Sequence, residues 1–288
     1  MSLRGARVLL TGGTGFIGSR LAAALHEAGA DVRLLVRASS QGGLLGPLWR
    51  RLPRLTADLG DPASLAAAVR AADPELVFHL AKEREGASFE REARASVALA
   101  AALAASAPRL KRWVRTAHAA REGLGRGADA ELARALAARH ALHVVTLELR
   151  LVYGPGQRAG DFPRALVEAA LAGRPLAAPE EAKDLVYVGD VAEAYARAAA
   201  APGAEGAWIP IGSGRLVSGA EATRAAAKAA KRRPEDVLPP RGEPRAGGHP
   251  ADTAPARALL GWSARTSLDA GMAHLVRWLR AERRSRRG

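Results

Sequence analysis

No cysteine occurs among the 288 residues, which excludes disulfides and thiolate metal sites. Aromatic residues make up only 4% of the chain, too few for a platform that stacks the bases of a single strand. No uninterrupted apolar run is long enough to span a bilayer, and the first residues lack a signal-peptide layout. Neither a membrane span nor secretion is expected, and a cytoplasmic enzyme fits. No nucleophile elbow is found, and His79, His118, His140 and His143 lack a ligand spacing, so hydrolase and metal chemistry are set aside. Acidic residues are in deficit, with a formal net charge of +14. The arginines are scattered through helical patterns without zinc-finger spacing or a recognition helix. No nucleic-acid partner is expected from them.

What is present points to an α/β chain. The length suits one large unit with a smaller second lobe. Val8 to Leu10 reads as a buried strand, followed by the turn Thr11-Gly12-Gly13-Thr14-Gly15 and an apolar helix opening at Phe16, Ile17 and Gly18. Strand, tight turn and helix are the layout that holds a dinucleotide pyrophosphate on helix N-terminal N–H groups. Gly12 permits the turn, Gly15 admits the phosphates, and Gly18 lets helix and strand pack closely. The expected architecture is a doubly wound parallel-sheet Rossmann fold over residues 1–157. A smaller, mainly substrate-binding lobe is expected over 158–288, with 185–210 returning to the main domain.

The run Thr11 to Gly18 resembles the fingerprint of the extended short-chain dehydrogenase/reductase family, which includes sugar-nucleotide epimerases and dehydratases as well as ketoreductases. The resemblance continues downstream. Asp58-Leu59 matches the acidic-apolar pair beside the adenine, and His79-Leu80-Ala81 matches a segment passing the nicotinamide-side ribose. Tyr153-Gly154-Pro155-Gly156 matches the turn that encloses the nicotinamide end. His79 reads equally as a satisfied core histidine. The strand Val32 to Val36 ends at Arg37, with no acidic residue there to hold ribose hydroxyls. Arg37, with Ser39 and Ser40, either faces a 2′-phosphate or is a solvated loop arginine. The position favours NADPH/NADP+.

The family's catalytic residues are missing. The resemblance implies a serine, then Tyr-x-x-x-Lys, where tyrosine donates the proton and lysine lowers its pKa. Here His118 takes the serine's place, Gly123 and Gly127 take those of tyrosine and lysine, and the loop is shorter. Glu148 stands where the family has an arginine. Ser96, in an alanine-rich helix, either turns its hydroxyl into the cleft or bonds its own backbone. Ser96 and His118 are the candidates for catalysis.

Three readings follow. The first is an NADPH-dependent ketoreductase acting on a polycyclic aromatic ketone, with the proton supplied by a neighbouring phenol of the substrate. In lacking the trio it resembles the tailoring ketoreductases of angucyclinone (simocyclinone-type) polyketide antibiotics, and this is the expected function. The second is a sugar-nucleotide epimerase or reductase with a relocated acid. The third is a non-catalytic NADP(H)-binding sensor or scaffold.

Overall fold

The apolar runs become strands because they are buried on both faces, as parallel strands covered by helices must be. The computed structural model describes residues 2–81, 89–118, 125–175, 181–234 and 248–285. The chain divides into two compact units. The first comprises Met1–Leu149, Ala192–Pro210 and Pro255–Trp262; the second comprises Arg150–Val191, Ile211–Ala254 and Ser263–Gly288.

Elements alternate through the first stretch: β1 (Arg7–Thr11), α1 (Phe16–Glu27), β2 (Asp31–Val36), α2 (Leu48–Arg51), β3 (Arg54–Thr56), α3 (Pro62–Ala72), β4 (Leu76–His79), α4 (Phe89–Ser106), β5 (Arg112–His118), α5 (Gly125–His140) and β6 (Val144–Leu149). After them come β7 (Leu151–Tyr153), α6 (Arg164–Ala172), β8 (Leu185–Tyr187), α7 (Val188–Ala200), β9 (Trp208–Ile211), α8 (Gly219–Ala230), α9 (Ala254–Leu260) and α10 (Leu268–Ser285).

The main sheet has the order β3-β2-β1-β4-β5-β6-β9, and the pairs from β3 to β6 are parallel. This is the doubly wound α/β order expected from the glycine turn, with its switch point between β1 and β4. Thr11 and His79 are partners at that point, at the strand ends where such sheets bind ligands. Leu9, Val77, Leu99, Leu103 and Trp113 fill the core on one side of the sheet. Asp61 caps α3 by accepting from the N–H groups of Ala63 and Ser64, with Pro62 in the first turn, as the Asp-Pro pair predicts.

Three elements differ from the sequence reading. The connection from Gln41 to Arg54, without a periodic signal, contains a 3-10 turn at Gly43–Leu45 and the short α2. The run Val144 to Tyr153 reads as one strand but breaks at Arg150, and β7 pairs in parallel with β8 in a separate two-stranded sheet. The basic tail from Arg280 reads as a frayed, solvated helix end, yet α10 continues to Ser285, and Glu282 in that stretch pairs with Arg164.

In the second unit, Tyr153, Leu166, Val167, Ala222, Met272 and Leu275 share one apolar cluster. Asp184 organises its polar side. One carboxylate oxygen accepts from Ser213 N–H at 2.7 Å and Ser213 Oγ at 2.6 Å; the other accepts from Gly214 N–H at 3.1 Å and Ala251 N–H at 2.9 Å. Asp184→Ala leaves buried donors without an acceptor. It is expected to lower unfolding free energy by about 3 kcal/mol or more, while Asp184→Asn, which keeps one oxygen, loses less. Urea denaturation of the two variants checks the order.

Candidate nucleotide-cofactor site

The chain turns sharply after β1 because Gly12 adopts φ +73°, a left-handed conformation that side chains disfavour. A Cβ there would stand 2.5 Å from the backbone of both Leu80 and Ala81. A Cβ on Gly18 would stand 2.1 Å from the Gly12 carbonyl oxygen. Gly15, by contrast, is exposed, so backbone is open to a ligand where α1 begins. No side chain caps α1, and its first turn carries no acidic residue. Its first N–H groups have no intrahelical acceptor and point where an anion fits. Thr14, Phe16 and Ile17 flank this opening half-buried.

A buried brace ties the turn to β4. Thr11 Oγ1 lies 2.8 Å from His79 Nδ1 and accepts from Ala81 N–H at 3.2 Å, while Leu80 N–H donates to the Thr11 carbonyl at 3.1 Å. The His79 carbonyl accepts from Thr116 Oγ1 on β5 at 3.1 Å. That commits the Thr116 proton, so the Tyr195 hydroxyl is the donor in its 2.5 Å contact with Thr116. Burial holds the His79 imidazole neutral, pushing its pKa down to about 3, and the Arg115 charge acts in the same direction. His79 is therefore a core histidine that braces the glycine turn. Leu80 and Ala81, half-buried, lie with their backbone against Gly12; Lys82 lies outside the described residues.

After β3, exposed Asp58 accepts from Gly60 N–H through Oδ1 at 2.8 Å, which fixes its loop. Leu59 beside it is half-buried. Arg37 is exposed, and Ser40, not Ser39, braces it by accepting from the Arg37 backbone N–H at 3.0 Å. Ser39 is exposed without such a role.

The catalytic candidates are placed differently. Ser96 is buried in the α4 row of Leu99 and Leu103, which faces the core. His118 ends β5 opposite Leu149; its side chain lies outside the described residues. Gly123 also lies outside them, and Gly127 is exposed in α5, with nothing within 4 Å of a Cβ built on it. Glu148 is buried and accepts from Trp208 Nε1 at 3.1 Å. Burial raises the pKa of both Tyr153 and Tyr195 above the ordinary phenol value. In the second unit, Tyr153 packs its hydroxyl against Gly271, and Gly154, at φ +141°, lies against Tyr187 and Val188. Among the described residues, no three His, Asp or Glu side chains stand close enough to hold a metal ion.

Sequence reasoning missed Thr11, Thr116 and Asp129. The last pairs with Arg115 in a buried bridge. For Thr11 and Thr116 the available signal was a polar residue ending or interrupting an apolar strand, and such a residue must find an internal partner. Asp129 lies in α5 and offered none.

The model of the NAD dependent epimerase/dehydratase family matches residues 8–118 and 128–212. The chain belongs to this family. The unmatched interval, 119–127, holds Gly123 and Gly127, the positions that lack tyrosine and lysine. No curated protein sequence matches the chain.

Solved structures cover nearly its whole length. MoeE5 in complex with UDP-glucuronic acid and NAD is 28% identical over 96% of this chain and 99% of its own, with a TM-score of 0.76. The Bordetella bronchiseptica enzyme WbmF in complex with NAD+ and UDP is 25% identical over 98% and 94%, with a TM-score of 0.80. The UDP-glucose 4-epimerase of Thermotoga maritima, solved with UDP-glucose, is 22% identical over 96% and 99%, with a TM-score of 0.80, and shares the fold.

These findings correct the expected identity, function, cofactor and substrate. The chain is similar to proteins holding NAD and uridine nucleotides, so the polyketide ketoreductase reading, its NADPH and its polycyclic aromatic ketone are withdrawn. Arg37 is exposed and only its backbone N–H is held, so the structure gives its guanidinium no direction that favours a 2′-phosphate.

His79 links stability to pH. Its folded pKa is depressed, so the unfolded chain binds the extra proton below about pH 6.5. Stability is full above that value and falls by about 1.4 kcal/mol per pH unit on the way down to about pH 3. Urea midpoints between pH 7 and 5 check this, and His79→Gln is expected to flatten the slope.

Proposed function

We propose that this protein binds NAD(H) and acts on a nucleotide sugar, with the proton handled by a residue other than the family's tyrosine. The observation that carries the reading is the Thr11–His79–Ala81 brace beneath an uncapped helix N-terminus. It keeps the phosphate turn rigid and open. Likeness to MoeE5 with UDP-glucuronic acid and NAD supports the substrate class.

The α1 N–H groups hold the pyrophosphate, with Gly12, Thr14, Gly15 and Gly18 allowing close approach. Asp58 and Leu59 receive the adenine end, and Leu80 and Ala81 support the ribose. When bound, NAD+ supplies a hydride acceptor and NADH a donor. His118 is the residue at the strand end best suited to move a proton, since an unperturbed imidazole titrates near neutrality. Ser96, on the core face of α4, supports that wall.

A second reading, NAD(H) binding without turnover, is favoured by a specific observation. Tyr153 and Tyr195 are buried, and Gly127 is open at the lysine position.

Incubation with NAD+ and UDP-glucose or UDP-glucuronic acid, followed by NMR of the sugar, separates the two. Sugar conversion that drops about 100-fold in His118→Ala, with NADH affinity unchanged, supports the enzyme. Tight NADH binding without conversion supports the second reading. NADH is expected to bind more tightly than NADPH. Arg37→Ala should shift NADH affinity by no more than about twofold, as for an exposed side chain without a partner. Fluorescence titration measures both.

A further inference from the structure

The second unit carries a face that cofactor binding leaves unused. α8 buries Ala222, Ala225 and Ala226, and α10 buries Met272, Leu275 and Leu279, all in one apolar cluster. The opposite side of each helix is a row of cations. On α8 the row is Arg224 and Lys228, with Lys231 just past the helix as its left-handed cap; on α10 it is Arg277, Arg280 and Arg284. All six are exposed. Spacings of three, four and seven residues keep Arg224 with Lys228, and the three α10 arginines together, on one helical face each. Lys231 continues the charge past the end of α8. The rows adjoin: Lys228 meets Asp269 of α10 at 2.5 Å, and Arg280 donates to the Ala230 carbonyl of α8 at 3.3 Å.

Internal pairing does not account for this charge. Asp269 offsets Lys228, and Glu282 bonds to Arg164 instead. Among the described residues, Arg224, Arg277 and Arg284 have no acidic partner. The two helix C-termini add about half a negative charge each. Six cations against roughly two negative charges leave about four positive charges on one small area.

We propose that the α8–α10 face docks on an anionic lipid surface. The rows lie along the backs of two packed helices, which offers a broad contact and no element narrow enough to enter a duplex groove. No aromatic side chain stands in either row to stack on a base. No apolar side chain stands there to insert into a bilayer, so the contact is electrostatic and confined to the headgroups. It needs no spanning element, and no described helix is long and apolar enough to cross a membrane. The proposal does not rest on the nucleotide-sugar reading.

The test is co-sedimentation of the full chain with phosphatidylcholine vesicles containing phosphatidylglycerol, and with phosphatidylcholine alone. Binding to the anionic vesicles only, reversed by high salt, is expected. The variant R224Q/R277Q/R284Q spares the Lys228–Asp269 bridge and the Arg280 contact. It should lose about fivefold in partitioning per removed cation at low salt, with NADH affinity and thermal midpoint retained. Equal binding to both vesicles, no binding to either, or unchanged binding by a folded variant would overturn the proposal. So would tighter binding to duplex DNA than to anionic vesicles at the same salt.

Discussion

One threonine hydroxyl connects the two strands at the switch point of the main sheet. Thr11 ends β1, yet its side chain meets the His79 ring and the Ala81 N–H after β4. The connections that leave these paired strands run to opposite halves of the sheet. Past the last backbone bond, from Leu80 N–H to the Thr11 carbonyl, this hydroxyl holds the glycine turn to the residues after β4. Burial makes the tie obligatory, because a desolvated hydroxyl or imidazole without a partner costs more than the bond returns. The neutral state of His79 follows from the same burial. Thr116 and Tyr195 extend the chain of bonds to β5 and α7, so the brace spans three strands and a helix.

Much of this fold was legible because it depends on apolar runs and glycines, which have few alternative readings. Val8 to Leu10, Leu76 to Phe78 and Val144 to Leu147 are buried strands for the reason that their composition suggests. Gly12 and Gly18 stand where any Cβ would collide with backbone. Polar partners were less legible, since they join residues far apart in sequence. Thr11 and His79 are separated by 68 positions, and Asp184 gathers Ser213, Gly214 and Ala251. The break at Arg150 was hidden for a related reason. Leu149 and Leu151 look continuous, and only their pairing with different strands separates them.

Substrate class was read from the wrong kind of evidence. Gly123 and Gly127 show that a tyrosine and a lysine are missing, but a missing acid carries no information about the molecule to be protonated. Arg37 carried too much weight in the same way. Its sequence position suits a phosphate contact, whereas its exposure and the turn closed by Ser40 give the guanidinium no fixed direction. The family match and the uridine-nucleotide complexes of similar proteins bear on the retained scaffold instead.

The apolar cluster of the second unit draws on Leu166 of α6, Ala222 of α8 and Met272 of α10. During synthesis, the first two emerge long before the third. Until α10 leaves the ribosome, α6 and α8 cover each other only in part, and the side of the cluster filled by Met272, Leu275 and Leu279 stays open. Completion of this unit is thus timed by its last helix, and a pause shortly before Leu268 would be the moment of greatest exposure to aggregation or proteolysis.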